Sequence, residues 1–405
     1  MSITYFMARR LRKAPKKAFT NMAHKIGMIS VALGMATALL ACLIMVGFQQ
    51  QMTQTLRGFG GHLQVVKYSF NRTYEEPPLE QAKLQGLQEA FPTMIQAAKA
   101  FAHKAVLLKA AEEVEGIVCK GLDPAAMHEN LHVYLTAGRL ITFSAQDYSH
   151  EVVLSTYTAD RLNVQVGDEV LACVVQQPPR YRRLRVVGLY TTHIADLDEK
   201  LAFCDLRLIQ RLNNWPANLV GGYEVFLKDC QSTQTVAEQL LSWIDADVGL
   251  KMTEREYAAI FDWLRIMQQN ALIFIVLILL VMCSNLAAIV LIQMIERTAM
   301  IGILKTLGAA NGQIRRMMLW NNLYMVGQGM FGGNLVGLGL CALQYHTHFI
   351  PLNPTYYHID HVPIAWSWRL ILGLNVLILG VVLTALLVAI GVIVRLRPIK
   401  AVRFA

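Results

Sequence analysis

Charge is what this sequence has least of. Only 16% of its 405 residues are Asp, Glu, Lys or Arg, against 55% hydrophobic residues and a mean hydropathy of +0.38. So few charges cannot cover a soluble surface of that size, which excludes an ordinary soluble enzyme and directs attention to membrane spans. Acids are missing from whole stretches. Outside residues 50–268 only Glu296 and Asp360 are acidic, against 16 Lys and Arg, while within 50–268 there are 21 basic and 26 acidic residues. The overall charge of +9 therefore belongs to segments flanking apolar runs, a membrane-orientation signal that leaves no case for nucleic-acid binding. Also absent are a GxxxxGK[ST] phosphate loop, which excludes ATP binding in that mode, and the HExxH and GxSxG signatures. The seven cysteines form no CxxC or other metal-ligand spacing. His346, His348, His358 and His361 cluster late in the chain, but their spacing fits no common metal site and they read as interfacial histidines. No catalytic residue and no metal ligand is assigned.

What is present is four apolar runs, at 26–48, 271–294, 317–343 and 370–394. Each is long enough for the roughly 20 residues that cross a hydrocarbon core, and only helices can do so here because backbone polar groups in lipid must be satisfied internally. The first run contains Leu39-Leu40-Ala41-Cys42, a rough lipoprotein cleavage box, but it continues apolar past Cys42 to Phe48 and is read as a retained span. Arg9, Arg10, Arg12, Lys13, Lys16, Lys17 and Lys25 precede the first run. Arg297, Lys305, Arg315 and Arg316 lie between the second and third, and Arg395, Arg397, Lys400 and Arg403 follow the fourth. The positive-inside rule then places both termini and the 295–316 link in the cytoplasm, with residues 49–270 and the 344–369 loop outward. Tyr5, Phe6, Leu11, Phe19 and Met22 interleave with the basic residues of 1–25, which suits either an amphipathic segment on the inner leaflet, interrupted at Pro15, or a basic topogenic tail without a defined fold. The expected architecture is an α-helical membrane protein of four transmembrane helices, with a large α+β periplasmic domain between the first and second and a short cytoplasmic tail at 395–405.

Within the outward domain, alternating or β-rich runs predict strands at 62–68, 105–108, 116–120, 151–154, 169–176 and 184–190, and apolar spacing predicts helices at 79–91 and 233–244. Two of those strands flank Gln177, Pro178, Pro179, Arg180, Tyr181, Arg182 and Arg183, a basic hairpin tip stiffened by two prolines. Cys119, Cys173, Cys204 and Cys230 all fall in this domain, where free buried thiols and disulfides are both open readings; Cys42, Cys283 and Cys341 sit in apolar runs as small hydrophobes. The third span carries Gly327, Gly329, Gly332, Gly333, Gly337 and Gly339, spaced for close helix approach either within the chain or to another subunit. Asn285, Asn334 and Asn375 are polar groups at depth that need partners inside the bundle.

The 295–316 link holds the most informative pattern. Met300, Ile303, Leu304 and Leu307 fall at i, i+3, i+4 and i+7 on a short helix that does not span, with Gly308 as its stop and Asn311 as a candidate cap for the next helix. An apolar stripe beside the bilayer wants a protein partner.

Residues 296–319, ERTAMIGILKTLGAANGQIRRMML, resemble the coupling segment of FtsX-like and MacB-like ABC permeases, and the order of one span, a large domain and three spans agrees over essentially the whole chain. A departure is Met300, where many members carry an acid. Met45-Val46-Gly47-Phe48 with Leu56 and His62-Leu63-Gln64-Val65, the loop Pro351-Leu352-Asn353-Pro354-Thr355-Tyr356-Tyr357 with Val362-Pro363, and the ending Arg397–Phe404 are similar to the lipoprotein-releasing LolC/LolE/LolF branch, although Ala405 replaces its usual terminal acid. Gln210–Trp215 and Gly221–Glu224 are similar to Bacteroidetes-type versions. The resemblance implies a permease subunit of the bacterial inner membrane, non-catalytic and without a cofactor of its own, driven by ATP and Mg on a separate LolD-like ATPase dimer. Glu296, Arg297, Met300, Ile303, Leu304, Lys305, Leu307 and Gly308 would contact that ATPase. It further implies a second permease copy or paralogue, and a LolA-like chaperone held at the 177–183 hairpin. The substrate would be a triacylated lipoprotein lodged, amid membrane lipid, near Met45, Phe48, Met52, Leu264, Met267 and Ile275. MacB-like efflux and FtsX-like signalling without transport are the competing roles; the Tyr356-Tyr357 loop argues against the first and the large two-part domain against the second.

Overall fold

The computed structural model describes residues 18–69, 75–84, 86–144, 147–176, 178–228, 233–353 and 359–395. The chain divides into two units, one of Gln51–Asp262 with Leu352–His361, the other of the remaining residues up to Gln50, Trp263–Pro351 and from Val362.

Among the described residues the first unit is built on twelve strands: β1 (Leu63–Lys67), β2 (Leu79–Glu80), β3 (Ile95–Ala110), β4 (Glu113–Leu122), β5 (Leu135–Gly138), β6 (Glu151–Ser155), β7 (Glu169–Val174), β8 (Arg180–Tyr190), β9 (Leu201–Asp205), β10 (Leu219–Val220), β11 (Gly222–Leu227) and β12 (Val248–Met252). Ten of them form one sheet in the order β12-β1-β11-β3-β4-β9-β6-β8-β5, with β7 pairing both β3 and β8. That double pairing makes β3, β4, β9, β6, β8 and β7 a closed ring, with β4–β9 and β6–β8 parallel and the other pairs antiparallel. A closed ring leaves its members no free edge and turns one face of every strand inward. The core accordingly takes Val106 and Leu108 of β3, Ile117 and Cys119 of β4, Val170 and Ala172 of β7, Val186 of β8 and Cys204 of β9. The 16-residue β3 also carries β11 along its first half, so one strand serves the ring and the β12-β1-β11 extension together.

The expected strands all occur, several of them longer than the β-rich runs that announce them. The expected helix at 79–91 does not. Leu79 and Glu80 pair with β10, a 3-10 turn follows at Gln81–Leu84, and Gly86 at φ 89° breaks the chain before a four-residue helix at Leu87–Ala90. Apolar spacing there reflects burial of Leu79 and Leu87 from separate short elements. The helix expected at 233–244 is present as Thr233–Trp243. Cys119, Cys173 and Cys204 are free thiols, and Cys230 lies outside the described residues.

The second unit is helical. Among the described residues four helices, Ala18–Gly60, Ala258–Glu296, Asn311–Thr347 and Trp368–Arg395, are long and apolar enough to cross a membrane. Each extends beyond its apolar run, because the run marks the part suited to hydrocarbon while the backbone stays helical into the flanks. Of the amphipathic stretch expected at 1–25, residues 1–17 lie outside the described residues and the rest opens the first long helix. The 395–405 tail lies outside them from 396 on. The expected 344–369 loop is divided: the third helix runs to Thr347, and Leu352–His361 belong to the strand-built unit.

The third-span glycines settle into an intramolecular seam. A Cβ built on Gly329 would lie 2.7 Å from Val31 Cβ, and one on Gly333 2.5 Å from the Ala32 carbonyl, so the first and third helices touch backbone to backbone there. Gly337 meets Ala36 in the same row, whereas Gly327 and Gly339 face open space. The asparagines at depth are paired: Asn334 and Asn375 exchange hydrogen bonds at 2.8 and 3.0 Å, and Asn285 donates to Ser30 at 3.0 Å. Asn321 donates to Gln293 at 3.2 Å, so polar bonds tie the third helix to both the second and the fourth. Gly333→Val should lower the stability of the detergent-solubilised protein by about 1–3 kcal/mol through overpacking, with Gly339→Ala nearly silent, as thermal melts would register.

Candidate coupling site and extramembrane surfaces

Nine residues, Thr298–Thr306, form a short helix between the second and third long ones. Ile301 anchors it: the side chain is buried in the cluster that contains Ile289, Val290, Ile314 and Met318, and Met300 packs partly against the same cluster. The stripe read from spacing thus divides. Met300 turns to the bundle and Leu304 is half-buried, while Ile303 and Leu307 stand out 62% and 78% exposed, one turn apart. Ile301 lay outside the predicted stripe because a short amphipathic helix packed on one side shows two apolar faces, and spacing alone does not say which is covered.

The helix stops as the sequence indicates. Gly308, at φ 89°, donates to the Lys305 carbonyl at 3.0 Å, and Ala309 donates to the Leu304 carbonyl at 2.9 Å, the paired closure of a Schellman motif. The next helix is capped differently from expectation. Ala310 is its cap, with its N–H donating to the Gln313 side chain at 3.1 Å, and Asn311 is the first helical residue. A glutamine at the third position reaches back to the cap's amide, a service Asn311 cannot perform once it is inside the helix. Glu296 ends the second long helix and Arg297 is the cap of the short one; Arg297 is half-buried and its Nη1 has no acceptor among the described residues. Lys305 is exposed in the last turn, where a cation suits the helix dipole.

The β7–β8 hairpin is tighter than its sequence implies. Pairing continues to Val174 opposite Arg180, so Arg180, Tyr181, Arg182 and Arg183 lie on the ladder and the tip is 175–179. Arg180 donates from Nη1 to the carbonyls of Arg211 and Leu212 at 3.1 and 2.8 Å, capping the helix Leu206–Leu212. Arg182 is half-buried, and Tyr181, Arg183, Pro178, Pro179 and Val175 are exposed; Gln177 lies outside the described residues. Of the residues expected to line a lipid cavity, Met45, Phe48 and Leu264 are buried, and Met267 and Ile275 are half-buried. Phe48 meets Trp263 edge-on at 5.7 Å. Met52, also buried, belongs to the strand-built unit. No group of three or more His, Cys, Asp or Glu among the described residues could hold a metal, and His358 lies outside them.

One site escaped the sequence altogether. In the strand-built unit, Lys120 of β4 and Glu224 of β11, 2% and 0% exposed, form an ion pair at 2.5 Å. The same ammonium donates to the carbonyl of Phe59, among the last residues of the first long helix. Around it, Arg57 pairs with Glu254 at 2.7 Å, Thr253 Oγ1 donates to the Gly61 carbonyl at 2.7 Å, and His62 Nδ1 accepts from the Leu227 amide at 3.2 Å. These bonds pin residues 57–62 to the sheet. No local motif signals them, since the partners are over 60 residues apart in sequence.

Four spans, a large domain between the first two and a short anchored helix displaying two apolar side chains define a polytopic membrane protein of the permease type. Residues 26–242, more than half of the chain, match the MacB-like periplasmic core domain, and residues 272–398 match the FtsX-like permease C-terminal family. The chain belongs to the family of FtsX-like permeases that carry a MacB-like periplasmic core domain. Among its relatives, the lipoprotein-releasing system transmembrane protein LolC of Neisseria meningitidis is 22% identical over 88% of this chain and 88% of its own length. The corresponding LolE of Haemophilus influenzae is 21% identical over 98% of each. A crystal structure of the periplasmic region of MacB from Actinobacillus actinomycetemcomitans covers 51% of this chain and 95% of its own at 16% identity, with a TM-score of 0.35.

Lys120→Met, which strands Glu224 in the interior, should destabilise the strand-built unit by about 3–5 kcal/mol, and Lys120→Met with Glu224→Leu should cost less than the single change. Burial, helped by Arg57 and opposed by Glu254, pushes the His62 ring from 6.5 down to about 4. Its neutral form therefore contributes stability in full above about pH 6.5, and this is lost as the pH falls toward about 4, where the unfolded chain binds a proton the folded one excludes. Melts across that window should show a slope that His62→Gln flattens; an unchanged slope would assign it to other groups.

Proposed function

We propose that this chain is the non-catalytic permease subunit of an ABC complex that extracts acylated lipoproteins from the bacterial inner membrane and passes them to a periplasmic chaperone. The observation that carries the reading is the Thr298–Thr306 helix, held on the bundle by Ile301 while Ile303 and Leu307 stand free on its other side. Two exposed apolar side chains on a short anchored helix suit a groove on a separate LolD-like ATPase dimer, where ATP and Mg would be bound. In this reading the helix and both termini face the cytoplasm, as the basic flanks favour. Similarity over nearly the whole length to LolC and LolE supports the lipoprotein substrate.

The chemistry of the task favours an energy-driven device. Burying each CH₂ in lipid stabilises by about 0.8 kcal/mol, so each long acyl chain is held by on the order of 10 kcal/mol. Three such chains do not leave unaided at a useful rate. In this reading they enter beside the first and second spans, near Met45, Phe48, Leu264, Met267 and Ile275, with a second permease copy or paralogue closing the cavity. The chaperone meets the 175–179 tip, where Pro178, Pro179 and Val175 are exposed beside Tyr181.

Leu307→Glu should abolish ATP-dependent lipoprotein release while leaving the melting temperature of the isolated permease unchanged. Ile301→Ala should instead cost about 2–5 kcal/mol of bundle stability. Native mass spectrometry of the permease with its ATPase, following loss of a triacylated polypeptide on ATP addition, measures the first effect directly; full release by the Leu307 variant would reject the coupling role.

A further inference from the structure

The third long helix has a second face that coupling does not use. Opposite the glycine seam, a recess of about 660 Å³ is lined by Trp320, Tyr324, Gly327, Gln328, Phe331 and Gly332. Two rings lie below the gap and one above it, and a Cβ at Gly327 would meet nothing within 4 Å, so the gap is real space at the helix surface. Gln328 donates to the Tyr324 hydroxyl at 3.2 Å, which lowers the cost of placing both against hydrocarbon. One turn before Trp320, on the same side of the helix, stands the exposed Arg316. Glu296 is the sole acid in the segments that make up this helical unit, so the field around Arg316 is positive.

We propose that this recess is a binding site for an anionic phospholipid, with its phosphate on Arg316 and one acyl chain laid across Gly327 and Gly332 beneath Phe331. The dimensions agree. From Trp320 to Gly332 the helix rises about 18 Å, close to the ~15 Å of one leaflet's hydrocarbon. Trp320 then sits at the headgroup boundary, where its amphipathic ring is favoured, and the guanidinium lies one turn further out, where it can grip a phosphate through two N–H groups. A basic residue near the surface is worth about 1 kcal/mol toward anionic lipid, which corresponds to roughly fivefold selectivity.

The experiment is native mass spectrometry of the full chain released from nanodiscs holding equal amounts of phosphatidylglycerol and phosphatidylcholine. The wild type should retain phosphatidylglycerol about fivefold over phosphatidylcholine. Arg316→Gln should remove that preference, Arg316→Lys should keep most of it, and Gly327→Leu, which fills the gap, should reduce retention of both lipids. Equal retention by the wild type, or a preference that survives Arg316→Gln, would overturn the proposal. So would a Gly327→Leu variant that changes the number of subunits per particle with lipid retention intact, since the face would then be a protein contact.

Discussion

An ammonium and a carboxylate shut away from water hold the base of the strand-built unit together. Lys120 and Glu224 sit on β4 and β11, strands that do not touch each other but both flank β3, and the pair therefore clamps across β3. By also binding the Phe59 carbonyl, the same ammonium supplies a partner to a helix end whose last carbonyls have none within the helix. Two charges at under 3% exposure are expensive to desolvate, and the cost is met only because the geometry is close and a third group shares the proton donors. The register of β1 against β11, where Gln64 lies opposite Glu224, and the position of residues 57–62 both meet at this point.

The helical unit answers a different constraint. Hydrocarbon offers no hydrogen bonds, so attraction between helices comes from close packing and from a few polar pairs. Gly329 and Gly333 provide the first along the first helix; Asn334 with Asn375, and Asn285 with Ser30, provide the second. The two sides of the third helix therefore differ in kind. Its seam is bare backbone against backbone, and its other side is ringed with Trp320, Tyr324 and Phe331, as suits contact with lipid.

How far this was legible from residues depends on the range of each interaction. The spans, the outward strands and the Gly308 stop follow from local patterns, because hydropathy, two-residue alternation and a left-handed glycine act within a few positions. The spacing of Met300, Ile303, Leu304 and Leu307 revealed a helix with apolar faces, yet the identity of the free face required Ile301 to be seen in the core. The hairpin arginines were misplaced for a related reason: a run of Arg and Pro looks like a tip, but Arg180 is committed to the carbonyls of Arg211 and Leu212, some thirty residues away. Lys120 and Glu224 were invisible, since an isolated lysine in a strand looks solvated until its partner arrives from another part of the chain.

The closed ring of β3, β4, β9, β6, β8 and β7 also encloses two thiols. Cys119 and Cys204 are 2% and 0% exposed, and their mutual hydrogen bond together with burial raises the Cys204 thiol well above its ordinary value. Sealed from solvent, both are inert toward alkylating reagents for as long as the strands stay paired. Their reactivity consequently keeps time for the ring itself: each modification event records one opening of the barrel, a clock for local breathing that needs no engineered label.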